Sequence, residues 1–230
     1  MEDAESDLDD NEEPASEPGS GFPDSERRGP GSYDRSKTPE ERLQEQRKRL
    51  LSCAARAFAQ QGFAGASVAT ILDGSGLSRS TFYRHFKDAA EIFIAVEGEA
   101  ASVLYDVVAE RILQAPNPPE KLRAGVHAFF DVLAEHGDLA RVLHREARAN
   151  GPRHDEVRRM TLERFVTLFR QGAEEAKAQG LISRLPSDLK LYALLAAIEG
   201  IGLRYLEAHD EARAVEAAPE LLSICFKTLG

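Results

Sequence analysis

Two short helical segments joined by a glycine-containing turn lie in the first half of the chain, and they constrain the fold more than any other part of it. Ser67 is placed to cap the first segment, and Gly76 follows its last turn, where glycine commonly ends a helix. Ser78 is placed to cap the second segment, in which Phe82 and Phe86 recur one turn apart. Two short helices in this arrangement are typical of a helix-turn-helix.

The second helix of this unit has an apolar inner face and a polar outer face. Leu77 and Phe82 flank the cap as a hydrophobic staple, and the side chains that point away from them carry hydroxyls and cations. The second helix of a helix-turn-helix enters the major groove of DNA, where an arginine such as Arg79 can donate to both O6 and N7 of a guanine. Short hydroxyls suit bases or phosphates, and Tyr83 and Lys87 suit phosphates. The predicted DNA-binding residues are Ser67, Ser78, Arg79, Ser80, Thr81, Tyr83, Arg84, His85 and Lys87.

Two members of this set have a second interpretation. His85 borders the apolar face, so a packed structural role is nearly as consistent with the pattern as a phosphate contact. Arg84 is as well placed to pair with a nearby carboxylate as to contact a base. The unit as a whole also fits a plain helical hairpin with a solvated basic face.

The charge of the chain is unevenly distributed. Residues 1–26 contain eleven Asp or Glu and no Lys or Arg, while the formal net charge of the whole chain is −10, so the remainder is close to neutral. Residues 1–37 are also rich in Pro, Gly and Ser and poor in aliphatic side chains, and we expect a disordered acidic tail there. The segment from Lys37 to Glu91 carries nine basic and six acidic side chains, a balance that suits a polyanionic partner.

The rest of the chain is predicted to be helical, which gives an all-α fold. Apolar residues recur at helical spacing, and proline and glycine punctuate the segments. The first helix is expected to start at a capping box formed by Thr38 and Glu41 and to end at Gly62. Beyond the helix-turn-helix, helices are predicted at 89–114, after Asn117, near 138–149, at 153–179, from a Ser187 cap to about 208, and from about Pro219.

The window from residue 49 to residue 92 resembles the TetR family of bacterial transcriptional regulators. The resemblance rests on Arg49, Leu51, Ala54, Ala55, Phe58, Gly62, Phe63, Ser67, Val68, Ile71, Gly76, Leu77, Ser78, Tyr83, His85 and Phe86. It implies a three-helix DNA-binding domain at 38–98 and a larger helical domain at 99–230 for ligand binding and dimerisation. It also implies a repressor that acts as a homodimer on a palindromic operator and is released by a small molecule.

Three positions depart from the family pattern. A small residue is usual where Leu72 stands, and an alanine is usual where Ser75 stands. The family commonly has a phosphate-binding lysine at the start of the fourth helix, where this sequence has Ala89. One contact to the DNA backbone is therefore expected to be lost, and Lys87 is its nearest replacement.

The last two predicted helices carry the expected dimer contact. Their apolar faces suit a four-helix interface in which two helices come from each subunit, and Gly200 and Gly202 leave room for another helix to approach. The alternative is that these helices bury only their own core. The predicted interface residues are Leu191, Leu194, Leu195, Ile198, Ile201, Tyr205, Leu221 and Leu222.

The helices between about 99 and 180 are expected to enclose a pocket for a small apolar effector. Such pockets are mostly apolar and contain a few polar groups. Each candidate residue also fits an ordinary place in the core. The candidates are Tyr105, His127, Phe129, Phe130, His144, Phe165 and Phe169.

Other classes of function have little support in the sequence. It contains no phosphate loop, GxSxG elbow, HExxH or CxxC, so we expect no enzyme, cofactor or metal site. Cys53 and Cys225 are expected to be small core residues. Without an apolar N-terminal core or a run of about 18 apolar residues, the chain is expected to be cytoplasmic, with no membrane partner. The remaining rival is a helical interaction module that has lost DNA binding, for which Ala89 is the best support.

Overall fold

Nine α-helices and no strands form the part of the chain that the structure describes, which confirms the predicted all-α class. The computed structural model describes the backbone of residues 38–150 and 152–229, and the side chains of 147–150, 152–154, 211–212 and 214–215 are outside this description. The predicted acidic tail, residues 1–37, also lies outside the described residues. The helices are α1 (Pro39–Gly65), α2 (Val68–Ser75), α3 (Arg79–His85), α4 (Ala89–Gln114), α5 (Pro118–Glu135), α6 (Gly137–Asn150), α7 (Pro152–Ala178), α8 (Asp188–Glu207) and α9 (Glu211–Leu229).

Side-chain caps fix several helix starts where the sequence predicts them. The backbone N–H of Glu41 donates to Oγ1 of Thr38 at 3.2 Å, and the N–H of Thr38 donates to Oε2 of Glu41 at 2.7 Å, which completes the capping box of α1. Asn117 and Ser187 cap α5 and α8 through their side-chain oxygens. Each cap satisfies a backbone donor that the helix leaves open, a contribution of about 1 kcal/mol.

Two helix limits differ from the prediction. Gly62 adopts a left-handed φ of 71°, but helical bonding resumes behind it and α1 continues to Gly65. The start predicted for the last helix is wrong, because α9 begins at Glu211 and contains Pro219 in its interior. Proline favours a first turn, and inside a helix it costs about 3 kcal/mol through one lost hydrogen bond and a local clash. Burial of the neighbouring Ala218 and Leu221 in the core offsets that cost.

The first three helices and the start of α4 enclose one apolar cluster, and this unit is called the head below. Phe58, Ile71 and Phe82 have no exposed surface, and Phe93 stacks edge-on against Phe58 with ring centroids 4.9 Å apart. Leu139, Val142 and Leu143 of α6 pack against the same cluster. The head is therefore anchored to the remaining helices through α6 as well as through α4.

The other helices form two further apolar clusters. One joins α5, α8 and α9, and the other joins α4, α5, α7 and α8. Helix α4 contributes to the head cluster through Ile92 and Phe93 and to the third cluster through Val108 and Ile112. It runs without interruption past residues 98 and 99, so the domain boundary placed there remains a prediction.

The residues predicted to form the dimer contact lie mainly in the core of the subunit. Six of them, Leu191, Leu194, Leu195, Ile198, Leu221 and Leu222, are at most 7% exposed in the single chain, and Ile201 and Tyr205 are half-buried against the α5–α8–α9 cluster. Side chains already covered by their own subunit have little surface left for a partner, so the dimer contact of these residues stays a prediction. The face that α8 and α9 leave uncovered carries Leu189, Tyr192 and Ile224, which are 79%, 40% and 49% exposed.

Within the described part of the chain, no helix combines the length and the apolar character needed to cross a membrane. Cys53 and Cys225 are both buried as free thiols, as expected for small core residues. Desolvation by burial raises the pKa of the Cys225 thiol.

Candidate functional site

The turn between α2 and α3 depends on a glycine and a buried serine. Gly76 has φ 61° and ψ 22°, a left-handed conformation that glycine adopts without a steric penalty, and its N–H donates to the carbonyl of Leu72 at 2.8 Å. Ser75 is fully buried, and its Oγ donates to the same carbonyl at 3.1 Å. The N–H of Leu77 donates to that Oγ at 3.2 Å. The serine that departs from the family's usual alanine therefore has both of its hydrogen-bonding roles filled inside the turn.

Three hydroxyls cluster at the start of α3. The N–H of Thr81 donates to Oγ of Ser78 at 3.1 Å, which confirms Ser78 as the N-cap. Oγ of Ser78 also lies 2.8 Å from Oγ of Ser80 and 2.9 Å from Oγ1 of Thr81. Ser67 caps α2 in the same manner, through the N–H of Thr70 at 3.1 Å. These hydroxyls hold each other in fixed positions on an exposed surface.

Phe82 of α3 and Phe86, its C-cap residue, point inward, and the cations of this segment point outward. Phe82 and Phe86 are 0% and 3% exposed, with ring centroids 5.9 Å apart. Arg79, Arg84 and Lys87 are exposed. Tyr83 is 53% exposed, and its ring stands edge-on against Phe82. The division into an inner and an outer face agrees with the helical periodicity of the sequence.

Helix α1 borders the outer face of α3, which the sequence reasoning missed. The guanidinium carbon of Arg47 lies 5.3 Å from the centroid of the Phe86 ring. Oε1 of Gln46 lies 3.4 Å from Nε2 of His85. Desolvation lowers the pKa of His85, and the charges of Arg47 and Arg84 lower it further. The run Gln46-Arg47-Lys48-Arg49 was the available signal, because four polar residues cover more than one turn of a helix beside the head core.

The cations around α3 are exposed and have no carboxylate partner in the part of the chain that the structure describes. Among the described residues, Arg47, Arg79, Arg84 and Lys87 form no ion pair with a carboxylate. Several cations of the later helices are paired, as in Lys121 with Glu175, Arg158 with Glu199, Arg164 with Asp106 and Arg170 with Asp188, whereas Arg111 and Arg204 are not paired with any described carboxylate. Arg84, for which an ion pair was the alternative, is thus left available to a ligand. Unpaired cations on one exposed face are the electrostatic footprint of a polyanion site.

The junction between α3 and α4 lacks a cation at Ala89. Asp88 caps α4 by accepting from the N–H of Glu91 at 2.8 Å. Oε2 of Glu91 in turn accepts from the backbone N–H of Lys87 at 2.6 Å. Ala89 is half-buried beside these groups, and Arg47 is the cation that α1 places next to Phe86, three residues before Ala89.

Two apolar cavities lie among the later helices. The α6-side cavity, of about 220 Å³, is bordered by α4, α5, α6, α7 and α8, and it includes the predicted residues Phe129, His144 and Phe165. The α9-side cavity, of about 250 Å³, is bordered by α4, α5, α7, α8 and α9, and it includes Phe169.

The other three effector candidates line neither of these two cavities, so their assignment to an effector site stays a prediction. Phe130 is fully buried in the α5–α8–α9 cluster, and His127 is half-buried outside both linings. The Tyr105 ring is covered by the guanidinium of Arg164, whose carbon lies 3.7 Å from the ring centroid. Helical spacing alone does not tell a cavity wall from a side chain that fills the core.

Two family models match this chain over more than half of its length. Residues 50–96, which include the head cluster and α3, match the model described as bacterial regulatory proteins of the tetR family. Residues 115–203 match the model described as the tetracyclin repressor-like C-terminal domain. The chain belongs to the TetR family. Membership confirms the predicted resemblance, and with it the class of regulator in place of enzyme.

Relatives of this TetR-family chain share its head most clearly. It is 32% identical over 89 residues to the transcriptional activator FasR of Mycolicibacterium smegmatis, a match that covers 39% of this chain and 41% of FasR. It is 24% identical over 188 residues to the transcriptional repressor Rv1474c of Mycobacterium tuberculosis, covering 77% and 91% of the two chains. The matches to the first three curated relatives span only 34% to 41% of the lengths of those proteins.

Solved structures extend the similarity to the whole fold. The FadR regulator of Bacillus subtilis, solved in complex with stearoyl-CoA, superposes with a TM-score of 0.68 at 19% identity, over 79% of this chain and 98% of that one. The fatty acid degradation regulator FadR of Bacillus halodurans gives a TM-score of 0.67 at 18% identity, over 78% and 97% of the two chains. At these identities, the comparison establishes the fold.

Proposed function

We propose that this TetR-family chain is a DNA-binding transcriptional regulator that acts as a homodimer on a palindromic operator and is released by a small apolar effector. The observation that carries the proposal is the outer face of α3, where exposed cations without carboxylate partners stand over two buried phenylalanines. Of the two directions of regulation, repression has the support of the relatives named as repressors. Such a regulator acts on the chromosome, in the cytoplasm.

The proposed DNA contacts divide by chemistry. Arg79, in the first turn of α3, suits bidentate donation to a guanine, because its guanidinium is exposed and free of an ion pair. Tyr83, Lys87 and Arg47 suit phosphates, which fix the orientation of the head without reading sequence. Ser67 and the hydroxyls of Ser78, Ser80 and Thr81 supply short-range donors. Arg84 and His85 complete the set at the C-terminal end of α3.

The proposed dimer uses the uncovered face of α8 and α9. Leu189, Ala193, Ala196 and Gly200 are all exposed and follow each other at intervals of four, three and four residues, which places them on one stripe of α8. An added Cβ at Gly200 would meet nothing within 4 Å, so the stripe leaves room for a close partner helix. Ile224 presents a large apolar side chain from α9. A two-fold pairing through this face makes a four-helix contact and presents two copies of α3 to DNA.

The proposed effector site is the α6-side cavity. Its lining is mainly apolar, and it also includes Arg158, His144 and Glu199 at one side, a composition typical of small-molecule sites. The FadR structure with stearoyl-CoA supports an effector with a long apolar part, because that protein has the same fold. The domain limits at 38–98 and 99–230 follow the division between a head that binds DNA and helices that bind effector and partner.

Release of DNA by the effector then follows from the thermodynamic coupling between effector binding and DNA binding. The cavity is walled by α4 and α6, and both helices also pack against the head core. An effector that binds one arrangement of these helices more tightly depopulates the arrangement in which the two α3 helices have the spacing of an operator, about 34–36 Å or a multiple of it. The shift is limited by the difference in effector affinity between the two states.

Selection of bound sites from random duplex DNA by the full chain tests the proposal. We expect enrichment of a near-palindrome whose half-sites lie one helical turn, or a multiple of it, apart. An Arg79→Ala chain provides the matched comparison, because it removes the proposed base contact and leaves the fold of the head intact. Recovery of unrelated sequences by the wild-type chain would support the rival module that does not read DNA.

A further inference from the structure

The α6-side cavity and the α9-side cavity are lined by neighbouring turns of the same helices. On α4 the α6-side cavity is lined by Val108, and the α9-side cavity is lined by Ile112, one helical turn further on. On α5, which runs in the opposite direction, Val126 lines the first cavity and Leu122 the second. Residues four apart stack on one face of a helix, so both helices place the cavities one turn apart along a common direction.

Helices α7 and α8 repeat this relationship. Phe165 of α7 lines the α6-side cavity, and Phe169 lines the α9-side cavity. On α8, which runs in the opposite direction, Leu195 lines the α6-side cavity and Leu191 lines the α9-side cavity. Four helices thus place the same two cavities end to end, and we infer that side chains one turn apart on these helices form the partition between them.

The ends of this pair of cavities differ in polarity. The α6-side cavity is bordered by Arg158, whose Nε and Nη2 donate to the two carboxylate oxygens of Glu199 at 3.1 and 2.6 Å, and also by Glu97 and the half-buried His144. The α9-side cavity has one charged border residue, Lys121, which is held by Glu175. A ligand with one polar end therefore places that end at Arg158 and Glu199 and its apolar part toward α9.

We propose that the two cavities form a single site for an unbranched aliphatic chain with a polar head, and that the far end of the chain reaches the α9-side cavity. This inference rests on the proposed effector-controlled function and defines the shape of the effector. Each cavity holds about seven or eight methylene groups if a methylene takes the ~30 Å³ of a liquid water molecule. A short chain fills the α6-side cavity, whereas a chain of about twice that length displaces the side chains of the partition and fills both.

Gly172 offers a direct way to close only the far half of the site. It borders the α9-side cavity on α7, and a Cβ built there would meet nothing within 4 Å, so we expect Gly172→Phe to extend a ring into that cavity without moving the backbone. Gln171→Phe is the matched control, because Gln171 is the exposed neighbour on the same helix. Neither substitution touches the α6-side cavity.

The test is calorimetric titration of the DNA-free full chain with octanoate, laurate and palmitate. In the wild-type chain, affinity should rise from octanoate to laurate, by at most about fourfold for each added methylene, because each enters apolar space while side chains of the partition are displaced. Palmitate should bind more tightly than laurate. In Gly172→Phe the gain from octanoate to palmitate should disappear while octanoate binding stays unchanged, and Gln171→Phe should match the wild type.

Titration of the wild-type chain with the three acids also tests the inference without the variants. Affinity that stops rising at octanoate, absence of binding of all three acids, or equal loss of octanoate and palmitate in a folded Gly172→Phe chain would overturn the inference. These outcomes are separable from a failure of the proposed DNA binding, because the titration contains no DNA and the selection of operator sites contains no aliphatic acid.

Discussion

The guanidinium of Arg47 lies over the ring of Phe86, with its central carbon 5.3 Å from the ring centroid. Phe86 closes the inner face of the helix that carries the predicted DNA contacts, so this pair joins α1 to the end of α3. Among the described residues, Arg47 forms no ion pair with a carboxylate, and it is exposed, as is Lys87, the residue after Phe86.

Replacement of Arg47 by alanine is expected to weaken DNA binding about equally for operator and unrelated sequences. A phosphate contact reads no sequence, and its loss should lower the slope of log affinity against log salt concentration by about 1. Fluorescence anisotropy at several salt concentrations measures both quantities. Arg213→Ala controls for the lost charge, because Arg213 is an exposed cation that pairs with Asp210 far along the chain. A selective loss of operator affinity in Arg47→Ala would instead assign base reading to this residue.

Gly76→Ala is expected to destabilise the chain by about 1–2 kcal/mol, because the φ of 61° is strained for any residue with a Cβ. The added Cβ would also meet a guanidinium nitrogen of Arg49 at 3.4 Å. Gly98→Ala is the matched control, since Gly98 lies within α4 with nothing within 4 Å of an added Cβ. That change should be neutral or stabilise by up to about 1 kcal/mol. Urea denaturation compares the two, and equal effects would contradict the role of the turn.

The lowered pKa of His85 predicts a loss of stability in mild acid. Burial, Arg47 and Arg84 lower this pKa below the ordinary 6.5, so the unfolded chain binds the proton first as the pH falls. Unfolding free energy should therefore be fully present above pH 6.5 and should decline as the pH falls toward the folded-state pKa. His85→Gln should reduce this decline in urea denaturation at a series of pH values. His136→Gln controls for loss of an imidazole, and identical pH profiles for wild type and His85→Gln would contradict the prediction.

Ile224→Asp is expected to convert the proposed dimer to monomers without unfolding them. Ile224 is 49% exposed in the single chain, so a carboxylate is tolerated there until a partner covers it. Burial of the new polar group should cost at least ~2 kcal/mol per copy, which weakens a two-fold dimer about a thousandfold. Sedimentation velocity gives the oligomeric state. Leu113→Asp provides the control at an apolar residue that is 74% exposed on α4, and a dimer that survives Ile224→Asp would place the contact elsewhere.

Local signals in the sequence predicted most of the helix limits. Caps such as Thr38, Ser78 and Asp88 bond to a backbone N–H within one turn, so the residues that form each cap lie close together in sequence. The start of the last helix was predicted wrongly at Pro219, because the preference of proline for a first turn does not exclude it from a helix interior. Burial of its neighbours in the core determines whether the helix continues through it.

Contacts between helices were predicted less well. An apolar stripe such as Leu191 and Leu195 shows that a face is buried but leaves open which helix covers it, and here the covering helices belong to the same subunit. The approach of Arg47 to Phe86 joins residues that are far apart in sequence, so periodicity within α3 could not reveal it. The end-to-end cavities depend on four helices at once and were likewise beyond the pattern of any one of them.

The most direct test of the central claim is the affinity of wild-type and Arg79→Ala chains for the selected operator and for a scrambled duplex at one salt concentration. If the outer face of α3 reads DNA, Arg79→Ala should lose about 1–3 kcal/mol on the operator and much less on the scrambled duplex. The preference for operator over scrambled DNA should shrink accordingly. An unchanged preference in a folded Arg79→Ala chain would contradict the claim that α3 reads DNA through Arg79.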